Sequence, residues 1–139
     1  MLSIHPAAGE MIVKLVIAMA LGGFVGLERE WRKRPAGLRT HMLVSMGACL
    51  FTMVSISSFS VDPARVASGI VTGIGFIGAG TIMASKGHIQ GVTTAATLWV
   101  TAAIGLGIGA DIYLASLAAA VLVFIILQLR KVEEELEYR

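Results

Sequence analysis

One cysteine stands in the whole chain of 139 residues, so no intramolecular disulfide can form and no multi-cysteine metal site can exist within one copy. Cys49 lies in an apolar run, where a thiol serves as a small hydrophobe. Charge is the second shortage. Charged residues make up 14% of the chain, against roughly 25% in an average soluble protein, while hydrophobic residues reach 56%. A soluble domain of this length cannot bury that much apolar surface. Acids are missing altogether between Val66 and Ala110, which removes the carboxylates that a mid-membrane cation path would use. No nucleophile–base arrangement is visible, so enzymatic activity is not expected. No basic residue precedes Lys14, and the dense positive cluster follows the first apolar run rather than leading it. That run is therefore expected to be a membrane span and not a signal peptide.

What the chain does contain is a series of apolar segments separated by short polar turns. The expectation is an all-α, polytopic transmembrane helix bundle forming one domain over residues 1–139. It has about five spans, at residues 11–27, 38–59, 64–84, 93–109 and 113–129, each near the roughly 17–25 residues that cross the hydrocarbon. Lys14 sits near the outer end of the first span and can snorkel. The first turn, Glu28 to Gly37, carries Arg29, Arg32, Lys33 and Arg34 with Trp31 at the interface, and Pro35 and Gly37 reverse the chain. This cluster is too short, and too closely held between two spans, to serve nucleic acid. Asp62 and Pro63 fit the N-cap and first turn of the third span, and Thr93 or Thr94 fits the N-cap of the fourth. From Arg130 the tail is expected to continue as a helix, with Leu129, Val132 and Leu136 as a weak apolar stripe.

Lysine and arginine counts orient the bundle. With the 28–37 turn inside, the inner side holds Arg29, Arg32, Lys33, Arg34, Arg39, Lys86, Arg130, Lys131 and Arg139, while the outer side holds Lys14 and Arg65. This asymmetry predicts an N-out, C-in topology.

The third span carries Gly69, Gly73, Gly75, Gly78 and Gly80. Gly73-Ile-Gly75-Phe-Ile-Gly78 matches a dinucleotide-binding fingerprint letter for letter. That motif needs a preceding strand and an acid about 20 residues further on, and neither is present. As a helix the stretch instead presents small residues for close helix packing, which predicts that span three occupies the centre of the bundle. Shorter small-residue pairs occur at Gly22/Gly26 and Gly105/Gly109. Broken helices at these glycines could also expose carbonyls to a cation.

Two polar groupings are expected. At the inner end lie Glu28, Arg29, Arg39, Thr40, His41, Thr93 and Thr94, with Glu28 the natural partner for Arg39 and the amides opening span four free to hold an anion. At the outer end Asp62 and Arg65 are three apart on a helix and can pair. The carboxylates that could hold a metal, Mg²⁺ if any ion, are Glu28 and Glu30 at the inner end and Asp62 and Asp111 at the outer end, with Glu28 and Asp62 the foremost candidates, and no resident cofactor is expected. His5, His41 and His88 are too isolated to act as ligands, and Trp99 is expected to fill the bundle interior.

In order along the chain, Gly26-Leu-Glu28-Arg29-Glu30, Pro35-Ala-Gly-Leu-Arg-Thr-His41, Asp62-Pro-Ala-Arg65, Gly73-Ile-Gly-Phe-Ile-Gly-Ala-Gly80 and Gly91-Val-Thr-Thr-Ala-Ala-Thr97-Leu-Trp99 resemble the MgtC/SapB family of bacterial inner-membrane proteins. The resemblance runs from about residue 11 to 129. It implies a multi-pass protein of the bacterial cytoplasmic (inner) membrane that serves adaptation to low Mg²⁺ and, in some members, survival inside host cells. Many longer relatives add a soluble C-terminal domain. The implied partners are the lipid bilayer, other inner-membrane proteins or a second copy in a homo-oligomer. Regulation of other membrane proteins is the first functional expectation, and transport of Mg²⁺ or another cation is the alternative.

Overall fold

The computed structural model describes residues 8–58, 61–85 and 87–129. Five helices and one small hairpin follow in order: α1 (Ala8–Trp31), α2 (Leu38–Ser58), α3 (Pro63–Ala79), β1 (Met83–Ser85), β2 (His88–Gln90), α4 (Val92–Gly109) and α5 (Tyr113–Gln128). The expected all-α bundle is the fold observed. With 24, 21 and 18 residues, α1, α2 and α4 are long and apolar enough to cross a membrane, while α3 and α5 are shorter apolar helices. His5, Lys86 and the helical tail expected after Arg130 lie outside the described residues.

Helix ends follow local chemistry, with three departures from expectation. α1 runs past both ends of the predicted span, because Glu28, Arg29 and Glu30 continue the helix. α3 stops at Ala79, five residues before the predicted end at 84. Gly80 and Thr81 turn the chain through Thr81 N–H to Gly78 O at 2.9 Å, and Met83–Ser85 then pairs antiparallel with His88–Gln90. The N-cap of α4 is Gly91, not Thr93 or Thr94. Gly91 has a φ of +90°, and any Cβ there would run into the Thr81 carbonyl, so only glycine can join the hairpin to the helix at this point. Asp62 is the N-cap residue of α3 but makes no capping bond; its carboxylate turns to Arg65 instead.

The centre of the bundle is α4, which packs against α1, α2, α3 and α5, whereas α3 packs mainly on α2 and α4. This corrects the expectation for the glycine-rich span. A Cβ added at Gly69, Gly73 or Gly75 would meet nothing within 4 Å, and of that set only Gly78 approaches a neighbouring helix, at Ala95. The close approaches belong to the shorter pairs. A Cβ on Gly105 would overlap the Ser45 carbonyl oxygen, and one on Gly109 would lie 2.7 Å from the Cys49 carbonyl. From the other side, a Cβ on Gly22 would lie 2.5 Å from the His41 carbonyl, and one on Gly26 would lie 2.9 Å from Leu38 Cα. The α2 backbone is thus clasped between α1 and α4 at van der Waals distance, the geometry that small residues permit between membrane helices.

The interior mixes apolar and polar side chains. Val25, Ile104, Ala120, Val123 and Leu127 join α1, α4 and α5, and Ala18, Cys49, Met53 and Ile108 join α1, α2 and α4. Between them His41, Ser45, Thr52 and Ser55 form an inward stripe on α2, answered by Thr94, Thr97 and Thr101 on α4. The hydroxyls of Thr52 and Thr101 donate to the carbonyls four residues back, at 2.8 and 2.7 Å, which satisfies them without water. Large apolar residues such as Leu43, Phe51, Leu114 and Leu122 point outward, as a lipid-facing surface requires. Trp99 is half exposed and so does not fill the bundle interior, because its position on α4 faces away from the other helices.

Candidate functional site

At one end of the bundle, where α1 leaves and α4 begins, charge is buried. Glu28 is 2% exposed and Arg29 is 5% exposed. Arg29 Nη2 donates to Thr94 Oγ1 at 2.7 Å, tying α1 to the first turn of α4. Glu28 Oε1 pairs with Arg32 Nε at 3.1 Å, and Arg32 Nη2 reaches Gln128 Oε1 on α5 at 3.4 Å. The other carboxylate oxygen, Glu28 Oε2, accepts no hydrogen bond and lies 3.8 Å from Arg29 Nη1. His41 is fully buried; its Nδ1–H donates to the Gly37 carbonyl at 2.9 Å, and Nε2 stands 3.3 Å from Thr97 Oγ1. Glu30 accepts from Leu38 N–H at 3.0 Å and so caps α2.

The structure therefore brings together Glu28, Arg29, His41 and Thr94 from the predicted inner cluster, with Thr40 half-buried nearby in sequence and Thr93 exposed at the rim. It does not form the expected Glu28–Arg39 pair. Arg39 is exposed, two residues from His41 and so on the opposite side of α2 from the clasped face. Glu28 is served instead by Arg32, four residues on and just past the end of α1, a reach that needs no crossing between helices. The cavity above this cluster has a volume of about 590 Å³ and is walled by Glu28, Arg29, Arg32, Arg34 and the start of α4.

Metal binding finds little support at either named candidate. Guanidinium groups flank Glu28, and Asp62 pairs with Arg65 at 3.3 Å on the surface. Among the described residues no group of three or more His, Cys, Asp or Glu side chains is placed to hold a metal ion. The Asp62–Arg65 pair forms as expected, and as an exposed pair it contributes little to stability.

A second charged centre, at the opposite end, went unforeseen. Lys14 does not snorkel; it is 4% exposed, with Nζ 2.8 Å from Asp111 Oδ1 and 3.7 Å from Glu10. The Tyr113 hydroxyl donates to the same Asp111 oxygen at 2.9 Å. Asp111 sits in the α4–α5 turn at a φ of +65°, a left-handed conformation that Asp tolerates better than most residues. The sequence did hold a signal: Lys14 is the one cation inside the first apolar run, and Asp111 is the one acid between Val66 and Leu129. The hydrogen bond from Lys14, aided by that from Tyr113, holds the Asp111 carboxyl below the usual carboxylate range despite partial burial. A depressed folded pKa gives stability that is fully present above the unfolded value of about 3.9 and is lost as pH falls through the folded value. Asp111→Asn should cost about 1–3 kcal/mol, less than for a fully buried pair because Asp111 is exposed. In thermal melts the gap between the parent chain and this variant should hold from about pH 5 to 8 and close below about pH 4. A gap independent of pH would show that the carboxylate charge is not what matters.

A clasped bundle with outward apolar side chains and charges buried at both ends defines a polytopic α-helical membrane protein. The particular family follows from the sequence pattern that defines it: residues 15–136 match the MgtC family, and the chain belongs to it. It is 43% identical over 128 residues, or 86% of its length, to the Escherichia coli K12 protein named "Putative magnesium transporter YhiD". It is 46% identical over 112 residues, or 81% of its length, to Protein MgtC of Salmonella typhimurium, and 39% identical over 117 residues to a protein of Synechocystis sp.. These alignments span 60%, 48% and 50% of the three relatives, so the chain corresponds to roughly half their length. No solved protein structure matches it.

Proposed function

We propose that this Mg²⁺-related membrane protein resides in the bacterial inner membrane, N-terminus out and C-terminus in. There it regulates other membrane proteins through helix–helix contacts, without enzymatic activity of its own. The observation that carries this reading is the groove between α2 and α3. About 590 Å³ in volume, it is lined by Val44, Phe51, Ile70 and Ile74 and floored by Gly47, Gly69 and Gly73. None of these three glycines has a neighbour within 4 Å of where a Cβ would stand. In lipid, a glycine-floored apolar groove favours the close approach of another helix, with Gly69 and Gly73 four apart as in small-xxx-small pairs. The occupant is a membrane helix of a partner protein.

Transport of Mg²⁺ is the second reading, favoured by the name of the Escherichia coli relative. Liposomes separate the two. Reconstituted chain with an entrapped Mg²⁺ indicator should show no flux above protein-free vesicles, and saturable flux lost in Asp62→Ala would establish transport instead. In the same vesicles, single cysteines at Lys33 and Ala110 (with Cys49 replaced) should label from opposite sides.

A further inference from the structure

We propose that the cavity at the start of α4 binds the headgroup of an anionic phospholipid, phosphatidylglycerol being the chemical type. The inference needs only that the chain sits in a bilayer and is independent of the partner groove and of any Mg²⁺ role.

Charge is the first argument. Arg29, Arg32 and Arg34 face a single carboxylate, Glu28, on the cavity wall, leaving a formal surplus of two positive charges (three minus one). Guanidinium forks suit phosphate oxygens, which accept two parallel N–H bonds at once. Two of the forks are already aimed: Thr94 fixes Arg29, and Glu28 with Gln128 fixes Arg32. The first residues of α4, an 18-residue helix, line the same space, and their amides have no acceptor within the helix.

The second argument concerns the kind of phosphate. Glu28 stands on this wall almost wholly buried, so its negative charge is felt in the cavity although its Oε2, which accepts no hydrogen bond, has almost no surface open to it. That charge disfavours a bare, doubly charged phosphate and is better tolerated by the single charge of a phosphodiester. The third is the rim. Val92, Ile126 and Leu129 line the cavity and are each more than half exposed, so the polar floor meets an apolar lip. A ligand with a singly charged phosphodiester and attached acyl chains matches all three features, and about 590 Å³ accommodates such a headgroup.

The test uses the whole chain in detergent, with bound lipid counted by native mass spectrometry. Phosphatidylglycerol, phosphatidylethanolamine and phosphatidylcholine are added in turn, and inorganic phosphate and glycerol 3-phosphate serve as competitors. Phosphatidylglycerol should be retained about tenfold more than phosphatidylcholine, and Arg34→Gln should remove most of that preference, a loss of about tenfold. Lys33→Gln supplies the control, since Lys33 is in the same turn with the same charge but does not line the cavity. It should leave the preference unchanged. Arg32→Gln should act like Arg34→Gln. Should Arg32→Gln fail to fold, Arg34→Gln decides alone, because Arg34 makes its turn contact through backbone N–H to Arg29 O. Equal loss in Lys33→Gln and Arg34→Gln would overturn the site in favour of diffuse charge attraction. Displacement of the lipid by inorganic phosphate at matched concentration would overturn the lipid source, and equal retention of all three lipids would overturn the headgroup assignment.

Discussion

Gly105→Leu should abolish the folded bundle, while Gly73→Leu should leave it folded. At Gly105 even a methyl would collide with the Ser45 carbonyl, a backbone atom that cannot move without separating α2 from α4. Because α4 touches every other helix, that separation would propagate through both buried clusters joined by Ile104 and Ile108. Overpacking of this kind costs about 3 kcal/mol or more, a large share of the stability of a small domain. Gly73, in contrast, opens onto the α2–α3 groove with nothing in reach. Leucine there should leave the melting temperature within about 2 °C, since a surface change away from strain shifts stability by about 0.5 kcal/mol or less. Under the proposed function its consequence should fall on activity: with the groove filled, the variant should fall below the parent chain in restoring growth at low Mg²⁺ to a strain that lacks its MgtC-family protein. Detergent-extracted yield and thermal melting read the first effect, and complementation reads the second. Full complementation by a well-expressed Gly73→Leu chain would remove the groove from the proposed mechanism.

Glu28→Gln should be the most damaging single change among the polar residues. It removes the carboxylate that balances Arg29, at 5% exposure, and Arg32, both within ion-pair distance. Breaking a buried pair from one side strands the other charge, at about 3–5 kcal/mol. Arg39→Gln, on the exposed face of α2, should change stability by no more than about 0.5 kcal/mol. A double-mutant cycle on melting distinguishes the arrangements. Glu28→Gln and Arg32→Gln should couple, because they share one ion pair, while Glu28→Gln and Arg39→Gln should add within about 0.5 kcal/mol. Strong coupling in the second cycle would restore the cross-helix pair that the structure replaces.

Both predictions turn on features that the linear sequence ranked differently. Glycine density singled out the third span, yet the number of glycines in a helix does not say which of them faces another backbone. Gly22, Gly26, Gly105 and Gly109 do so because they come in register with the small-residue and polar face of α2. Likewise, Arg39 and Arg32 are equally basic in sequence, but the rotation of α2 turns Arg39 outward, whereas Arg32, four residues after Glu28, reaches it locally.

The sequence by itself determined the class of the protein, the order of the five helices among the described residues and the family. Long uncharged stretches have no stable alternative to helices in lipid, and short polar turns limit how they connect. It also located the charged end around Glu28 and Arg29 and the Asp62–Arg65 pair, because those partners are near neighbours along the chain. Tertiary structure alone decided which helix is central, where the open groove lies and that Lys14 meets Asp111 across 97 residues of chain. The reason is that each depends on helix rotation and register, set by the sum of many close contacts, and no single stretch of sequence carries that sum.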